Sequence, residues 1–384
     1  MRFSVDAHAI GRNLTGNEVY VRNLLQGFAS LDRTADFVAY LSVSEASAWV
    51  PERFAVHRIS KNPFVRLGLD LTLRLRVDRP DLLHVQYTAP LVCPVPVVVS
   101  VHDVSFLEHP EFFSVARRFQ LRHTVERTVR RAAKILTPSE FSRQAILRWY
   151  DLPAERVVAI PNGVSPAFRP MAQDTAREWV RNRFGIAAPF LLMVGDLQPR
   201  KNQLGLVEAF AALLRKCPQL PHHLALVGKQ NGYASRVRAA AERRGVSRRV
   251  HFTGFVRDHD LLQLYGACDV FSFPSFYEGF GIPILEAMAC GRAVACSQTS
   301  AMTEVADGAA ILFDPYSIES MVEALQDLLL DAELRMRMER LGLHRAAQFS
   351  WEKSAQKTLE VYYDVACNGQ RVPERIHSAS VSRL

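Results

Sequence analysis

The chain has 384 residues, a length that suits two or three domains of about 150 residues each. Its 48% hydrophobic and 22% charged residues are typical of a soluble globular protein, and no apolar run reaches the roughly 18 residues of a membrane span. The net charge of +8 first suggests nucleic acid, but no nucleic-acid-binding motif accompanies it. An anionic membrane surface or a phosphorylated substrate accounts for the charge equally well.

The cysteines and the first residues indicate a cellular compartment. None of the six cysteines forms a CxxC pair or has a histidine at metal-ligand spacing. This pattern argues against a disulfide framework and a structural zinc, and for a reducing cytosol. A strand begins at Arg2, so no signal peptide is predicted.

Strands and helices alternate along the first half, which predicts a parallel sheet covered on both faces. The predicted strands are 3–8, 37–43, 56–59, 82–86, 95–101, 135–138 and 157–160, and the predicted helices are 17–30 and 112–134. Ligands gather at the carboxyl edge of such sheets. The loop 11–16 with Gly16 and the strand-end residue His102, followed by Asp103, are expected at that edge.

The helix predicted at 112–134 is strongly basic. It carries Glu126 against seven bases, which are Arg117, Arg118, Arg122, Arg127, Arg130, Arg131 and Lys134. The pattern fits a solvated face of a helix packed on the sheet. It also fits a helix that docks on an anionic membrane, because each base adds about 1 kcal/mol near such a surface.

The second half alternates in the same way after a proline-rich linker at 165–171. The predicted strands are 190–194, 224–227, 250–253, 270–273, 293–296 and 311–313. The predicted helices are 202–216, 233–244, 258–265, 284–290, 317–330, 332–348 and 351–366, with a small turn at 302–305 and a polar tail at 369–384.

The segment 269–292 holds the strongest candidate site. An apolar strand is followed by a loop with Glu278, Gly279 and Gly281 and then by a helix that begins with proline. Amide groups and the positive helix end converge there, an arrangement that suits a diphosphate. Glu278 and Glu286 flank the same point, where sugar and ribose hydroxyls are natural hydrogen-bond donors to carboxylates.

The segment 195–202 places Arg200 and Lys201 between a buried strand and a helix start. The helix dipole disfavours bases at that position, so a bound anion explains them better than a plain surface. Fixed cations of this kind stabilise the charge that develops on a diphosphate leaving group, and no metal is expected. Asp258 and Asp260 form a D-x-D triplet, a pattern that can bind a divalent metal. We expect no metal here, because Asp258 is placed to cap the helix that follows.

Three motifs resemble those of GT4-type retaining glycosyltransferases with the GT-B fold. EGFGIPILE at 278–286 is similar to their E-x7-E signature, GDLQPRKN at 195–202 is similar to their G-x-L-x-P-R-K-N, and PNGV at 161–164 is similar to the turn that closes their first domain. The chain departs from the pattern at Asp196, where many members have arginine, and after Gly16, where Asn17 and Glu18 replace small and basic residues.

The resemblance implies the fold and the domains. The expected fold is α/β of GT-B type, with two Rossmann-like domains facing a central cleft and a C-terminal helix crossing back to the first domain. Residues 1–170 would form the acceptor-side domain, 171–350 the nucleotide-sugar-binding domain, 351–368 the crossover helix and 369–384 a flexible tail.

The resemblance also implies an activity and the residues that perform it. Transfer of a hexose, with mannose favoured, from a GDP- or UDP-sugar to a glycan or lipid-linked acceptor is expected, with retention of configuration, as in bacterial mannosyltransferases of surface polysaccharide synthesis. The implied catalytic residues are His102, Glu278, Lys201 and Arg200. The implied donor-binding residues are Gly16, Lys201, Arg200, Val256, Glu278, Gly279, Phe280, Gly281 and Glu286.

Alternatives from other classes remain at this point. The same fold could serve a nucleotide-sugar hydrolase or epimerase, or a catalytically inactive nucleotide-sugar-binding protein. In each case the expected location is the cytoplasm, with peripheral attachment to the inner membrane face as one option and no nucleic-acid partner.

Overall fold

The structure is a computed structural model, and it describes residues 1–12 and 15–369. The predicted tail therefore lies outside the described residues from position 370 onward. Asn13 and Leu14 of the predicted loop 11–16 lie outside them as well.

The first half of the chain alternates strands with helices. The strands are β1 (Arg2–Asp6), β2 (Asp36–Leu41), β3 (Ala55–Arg58), β4 (Leu82–Gln86), β5 (Val97–Ser100), β6 (Lys134–Thr137) and β7 (Val157–Ala159). The helices are α1 (Thr15–Leu31), α2 (Pro63–Val65), α3 (Leu71–Asp78), α4 (Ser105–Glu108), α5 (Val115–Arg131) and α6 (Glu140–Tyr150). A π turn, Arg66–Asp70, joins α2 to α3, and 3-10 turns occupy Ser44–Trp49, Pro110–Phe112 and Ala154–Arg156.

The first sheet has the strand order β3-β2-β1-β4-β5-β6-β7. The pairs β1–β2, β1–β4, β2–β3 and β6–β7 are all parallel. The register of β1 places Phe3 beside Phe37, and Phe28 of α1 stacks on Phe37 with 5.7 Å between ring centroids. Every residue of β4 is buried, as expected of a strand that is covered on both faces.

The second half repeats the alternation. The strands are β8 (Phe190–Val194), β9 (His223–Val227), β10 (Val250–Gly254), β11 (Val270–Phe273), β12 (Ala293–Ser297) and β13 (Ile311–Phe313). The helices are α7 (Gln173–Phe184), α8 (Gln203–Lys216), α9 (Gly232–Arg243), α10 (Asp258–Ala267), α11 (Ile282–Ala289), α12 (Ala301–Ala306), α13 (Ile318–Leu330), α14 (Ala332–Ala346) and α15 (Trp351–Gly369). Two 3-10 turns lie at Pro199–Lys201 and Ser247–Arg249.

The second sheet is parallel and has the order β10-β9-β8-β11-β12-β13. Successive side chains of a strand point to opposite faces, and β8 shows the consequence. Leu191 and Met193 pack into an apolar cluster with α8 and α13, whereas Phe190 and Leu192 pack into another with α7, α10 and α11. Helices therefore cover both faces of this sheet.

The chain forms two compact units. The first contains Met1–Val99, Arg131–Lys134 and the described chain from Gln356 onward, and the second contains Ser100–Arg130 and Ile135–Ala355. Within the first unit, the Tyr362 ring of α15 packs edge-on against Phe3 at 5.3 Å between centroids, and its hydroxyl pairs with the His84 ring. The predicted return of the last helix to the N-terminal strands is confirmed.

The predicted parallel α/β class is confirmed, and four strands (82–86, 190–194, 270–273 and 311–313) have the predicted bounds. The basic helix is shorter than predicted and ends at Arg131. The amide of Ala133, just before β6, already donates to the carbonyl of Val97 in β5. The small turn predicted at 302–305 is the short helix α12, and no helix was predicted for α2–α3, α4, α6 or α7. Among the described residues, every helix is too short or too polar to serve as a membrane span.

Candidate functional site

The loop that leaves β11 carries Glu278 and is held by the two neighbouring strand ends. The amide of Phe276 donates to the carbonyl of Arg200, 2.9 Å away, in the segment that follows β8. The amide of Glu278 donates to the hydroxyl of Ser300, 3.0 Å away, in the segment that follows β12. Three loops at one carboxyl edge of the sheet are thereby tied together.

The Glu278 carboxylate is 8% exposed and pairs with both bases that follow β8. Lys201 Nζ lies 2.7 Å from Oε1, and the Arg200 guanidinium lies 3.1 Å from Oε2. Burial alone would raise the pKa of Glu278, but the charges of Arg200 and Lys201 lower it to about 2. The carboxylate is therefore ionised at neutral pH.

The two bases are positioned by a short turn with a strong cap. The 3-10 turn Pro199–Lys201 ends at Asn202, whose φ of 56° is one that asparagine tolerates well. The Asn202 side chain accepts the amide of Gly205, 3.1 Å away, and starts α8. The Lys201 ammonium also lies 4.9 Å from the centroid of the Phe273 ring. Burial lowers the pKa of Lys201 in spite of the attraction of Glu278.

Asp196, the departure from the motif noted in the sequence, has a definite place in this structure. Its Oδ1 accepts the backbone amide of Lys229 at 3.1 Å, and the amide of Leu197 donates to the carbonyl of Lys229 at 3.0 Å. Asp196 thus fixes the loop after β9 against the loop after β8. An arginine side chain has no acceptor for that amide. Aspartate at this position therefore supplies a contact between the two loops, where arginine would supply a positive charge.

Gly279 lies against the strand-end residue His102 so closely that a side chain is excluded. A Cβ on Gly279 would lie 1.9 Å from the His102 carbonyl oxygen. The hydroxyls of Ser139 and Ser142 donate to the Gly279 carbonyl at 2.7 and 3.2 Å. The structure therefore brings the loop of Glu278 and the end of β5 together within the second unit.

His102 itself is half-buried. Burial lowers the pKa of His102 to about 4, and the opposing charge of Asp103 only partly restores it. The Asp103 carboxylate accepts both the amide and the hydroxyl of Ser105, at 2.9 and 2.6 Å, and so holds the first turn of α4. The imidazole is neutral at pH 7.

Glu286 lies in α11, is 7% exposed, and accepts the hydroxyl of Tyr265 at 2.8 Å. Burial raises the pKa of Glu286 to about 7; the Tyr265 hydrogen bond opposes this rise and the charge of Asp258 adds to it. The two glutamates of the motif thus have opposite electrostatic environments. Glu278 is held ionised by cations, whereas Glu286 changes its charge near neutral pH.

The other predicted donor-binding residues of the second half, Gly281, Phe280 and Val256, lie near the same edge. Gly281 has φ of 108°, a conformation that favours glycine, and it precedes the first residue of α11. Phe280 is buried, and the half-buried Val256 packs against the same apolar cluster. Arg257 is exposed.

The prediction that Asp258 caps α10 is wrong. The cap position belongs to Arg257, whose side chain makes no cap bond, and Asp258 lies in the first helical turn. A carboxylate there still favours the helix because it faces the positive end of the helix dipole. Within the part of the chain that the structure describes, no three histidine, cysteine, aspartate or glutamate side chains form a cluster that could hold a metal.

Gly16 belongs to the first unit and is exposed in the first turn of α1. A Cβ there would meet no atom within 4 Å, so local packing does not require glycine. The Glu18 carboxylate accepts a hydrogen bond from the amide of Gly11 at 2.9 Å. Glu18, which departs from the family pattern after Gly16, therefore has a structural role.

Two residues of the site were not found from the sequence. Tyr265 was predicted only as the end of a helix, although its hydroxyl is the partner of Glu286. Ser300 was assigned no role, although it binds the amide of Glu278 and has φ of 53°. Neither lies at a motif spacing, so only the fold reveals them.

Comparisons with known proteins identify the family of the chain. The model of the family described as "Glycosyl transferases group 1" matches residues 180–345, and that of "Glycosyltransferase Family 4" matches residues 14–168. The O-antigen chain mannosyltransferase B of Escherichia coli is 33% identical over 266 residues, which are 69% of each chain. The serotype-specific mannosyltransferase WbdA of Escherichia coli is 28% identical over 282 residues, and the match spans 73% of this chain but about a third (34%) of WbdA.

Solved structures show the same fold. Sucrose-phosphate synthase from Thermosynechococcus elongatus superposes with a TM-score of 0.77 at 19% identity, covering 96% of this chain and 100% of that one. HepE from Anabaena, solved in complex with UDP-glucose, has a TM-score of 0.77 at 21% identity, covering 94% and 99%. These likenesses confirm the predicted GT-B fold.

Proposed function

Because the chain belongs to glycosyltransferase family 4, we propose that it transfers mannose from a nucleoside diphosphate mannose to a glycan or lipid-linked acceptor. The observation that carries the proposal is the ion pairing of Glu278 with Lys201 and Arg200 at the carboxyl edge of the second sheet. We choose mannose over other hexoses because two relatives, 33% and 28% identical to this chain, are named mannosyltransferases.

In the proposed complex, the donor diphosphate takes over the two bases of the site. Lys201 and Arg200 neutralise its charge together with the amides of the loop from Gly279 to Gly281, and no metal is required. Glu278 then accepts hydroxyls of the sugar in place of the cations. Bases that neutralise the leaving group in this way stabilise the transition state more than the ground state, because charge accumulates there as the glycosidic bond breaks.

The nucleoside is assigned to the other glutamate. Glu286 exchanges its Tyr265 hydrogen bond for the ribose hydroxyls, and the segment of Val256 and Arg257 borders the base. A buried carboxylate with a pKa of about 7 suits this exchange, since ribose hydroxyls supply the donors that burial otherwise denies it.

The transfer is proposed to proceed with retention by attack from the front face. The bond between the anomeric carbon and the diphosphate oxygen breaks, and the diphosphate leaves with the electron pair. The acceptor oxygen bonds to the short-lived oxocarbenium carbon on the same face, and its proton passes to the departing phosphate oxygen. His102 lies beside the transferred sugar in this proposal, and its neutral imidazole forms a hydrogen bond with a sugar hydroxyl. No carboxylate nucleophile is needed.

A contact of the basic helix α5 with anionic lipid stays a prediction. Its residues 115–120 are all exposed, including Phe119 and the bases Arg117 and Arg118. Exposure of this kind permits both a solvated helix and a surface contact.

The proposal is tested by calorimetric titration of GDP-mannose, UDP-glucose, UDP-N-acetylglucosamine and the free diphosphates GDP and UDP. We expect selective binding of GDP-mannose that is lost in Glu286→Ala and kept in Glu323→Ala, an exposed glutamate on α13. Retention is tested by NMR of the earliest product, which should be the α-mannoside, in the presence and absence of EDTA. Binding of no donor, equal binding by the Glu286→Ala protein, or a β product contradicts the proposal.

A further inference from the structure

Four aromatic rings form a stack next to the loop of Glu278, within the second unit. His109 stacks on Phe112 with 5.5 Å between ring centroids, Phe112 stacks on Phe276 at 5.9 Å, and Phe276 stacks on Tyr316 at 4.8 Å. The angles between the ring planes are 24°, 12° and 28°, so each ring lies nearly parallel to the next. The stack joins the segment that follows α4 to the loops that follow β11 and β13.

The stack ends in an exposed ring. His109, Phe112 and Phe276 are half-buried, whereas Tyr316 is 66% exposed. Because Phe276 covers one face of the Tyr316 ring, this exposure leaves the other face to solvent. The amide of Tyr316 donates to Asp314 Oδ1 at 2.9 Å, which fixes the backbone that carries the ring. A flat ring held in this way loses little conformational freedom when a ligand packs on it.

The exposed ring is attached to the segment of the bases proposed for the donor diphosphate. The amide of Phe276 donates to the carbonyl of Arg200 at 2.9 Å. The side-chain amide of Asn202 donates at 2.9 Å to the carbonyl of Pro315, the residue before Tyr316. Both rings of the outer pair in the stack therefore have a fixed position relative to the proposed donor site.

Two carboxylates act on the exposed ring. Burial raises the pKa of Tyr316, and the negative charges of Glu111 and Asp314 add to the rise. Glu111 is exposed, and its Oε1 lies 3.0 Å from His109 Nδ1 in the same stack. Carboxylates at this position accept hydrogen bonds from neutral hydroxyls and repel a polyanion such as nucleic acid.

We propose that the exposed face of Tyr316 binds a saccharide unit of the acceptor, beyond the unit that receives the transferred sugar. The C–H groups on the face of a sugar ring pack against the negative face of an aromatic ring, and its hydroxyls donate to carboxylates. An exposed ring flanked by Glu111 and Asp314 matches both features of a neutral oligosaccharide. This inference rests on the proposed function and deepens it, because it makes the acceptor a glycan of more than one unit.

The test compares a short and a long acceptor, methyl α-mannoside and α-mannotriose, with GDP-mannose as the donor. We expect a lower KM for the trisaccharide in the wild type. Tyr316→Ala should raise the KM for the trisaccharide about tenfold, with no comparable rise for the mannoside, and Tyr316→Phe should keep the wild-type values because it keeps the ring. The matched control is Phe119→Ala in α5, which removes a ring with 65% exposure and should act as wild type on both soluble acceptors.

Binding of α-mannotriose to the donor-free protein is measured separately by calorimetry, with circular dichroism to check the fold of each variant. Weaker trisaccharide binding by Tyr316→Ala, alongside unaltered binding of GDP-mannose, supports the inference. A wild type that binds the trisaccharide through Tyr316 but no donor would contradict the proposed function alone.

Four other outcomes overturn the inference itself. These are equal KM values of the wild type for the two acceptors, an unchanged trisaccharide KM and affinity in Tyr316→Ala, an equal loss in Phe119→Ala, and a dimer of the wild type that Tyr316→Ala dissociates. The last result would assign the exposed ring to a second copy of the chain.

Discussion

Lys201 Nζ lies 2.7 Å from Glu278 Oε1, so the base proposed for the donor diphosphate and the carboxylate proposed for its sugar neutralise one another. Removing one partner of a buried ion pair is costly, because it leaves the other charge buried and uncompensated. In the proposed complex, donor binding would avoid that cost by exchange, since the diphosphate would replace the carboxylate beside Lys201 while sugar hydroxyls would replace the ammonium beside Glu278. The ion pair accounts for a buried carboxylate beside the proposed anion site.

The first prediction concerns Lys201. We expect Lys201→Ala to lower kcat by about 10²–10³, the typical cost of removing one group that stabilises developing charge. Transfer from GDP-mannose to a mannoside acceptor is the measurement, corrected for the folded fraction. Lys216→Ala, which changes an exposed lysine at the end of the following helix α8, should leave kcat unchanged. An unaltered kcat in the Lys201 variant would remove this residue from the proposed mechanism.

The second prediction concerns Gly279. A Cβ would lie 1.9 Å from the His102 carbonyl oxygen, which belongs to the backbone and cannot rotate away. We expect Gly279→Ala to displace the Glu278 loop, to lower the free energy of unfolding by about 1–3 kcal/mol and to reduce transfer. Urea unfolding measures the first effect.

The matched control for Gly279 is Gly232→Ala at the start of α9, where a Cβ meets no atom within 4 Å. Its unfolding midpoint and activity should stay close to those of the wild type. Equal effects of the two substitutions would mean that the contact with His102 is not what requires glycine.

The sequence predicts the frame of this fold well and its connections less well. Buried parallel strands such as β4 and β8 are nearly continuous apolar runs bounded by turn residues, so their bounds follow from pattern alone. The segment 63–78 escaped prediction because Leu71, Leu73 and Leu75 alternate with polar residues, a pattern that also suits a strand. Packing of Leu71 and Leu75 on the core decides in favour of a helix.

The site divides in the same way. Glu278, Glu286, Arg200 and Lys201 are recognisable because each stands in a strand–loop–helix motif. The electrostatic environments of these residues cannot be recognised from the sequence. The pKa of Glu286, for example, depends on burial and on Tyr265, 21 residues away along the chain. Long-range packing of this kind leaves no periodic signal in the sequence.

The third prediction is a pH dependence that arises from Glu286. The pKa of this residue is about 7 in the folded protein and lies near its ordinary value of 4.5 in the unfolded chain. The folded state therefore binds one more proton at Glu286 between these values, and the contribution of Glu286 to stability falls as the pH rises from 4.5 to 7, by at most about 1.4 kcal/mol per pH unit. Glu278 does not contribute to the pH dependence in this range. Its pKa is about 2 in the folded protein, so its contribution to stability is lost only as the pH falls below 4.5.

Urea unfolding of the wild type and of Glu286→Gln across this range measures the effect as the difference between the two proteins. Donor affinity should change in the opposite sense, because the ionised carboxylate accepts the ribose hydroxyls: the Kd for GDP-mannose is expected to rise about tenfold for each pH unit below 7. Tyr265→Phe removes the hydrogen bond that lowers the pKa of Glu286, so it should move both midpoints to higher pH. A pH-independent difference between wild type and Glu286→Gln would contradict the buried environment of this carboxyl.

The last prediction concerns the charge of His102. Its pKa is about 4 in the folded protein, against about 6.5 in the unfolded chain, because burial disfavours the imidazolium. The unfolded chain therefore binds the additional proton between these values, and His102 removes stability as the pH falls from 6.5 to 4. The His102→Gln protein should lack this component, while NMR titration of the wild type should show the His102 ring signals moving only near pH 4. The pH profile of kcat/KM should accordingly contain no step near 6.5 that His102→Gln abolishes. A titration of the His102 signals near 6.5 would mean that the imidazole is solvated, and the proposed neutral hydrogen bond to the transferred sugar would then fail.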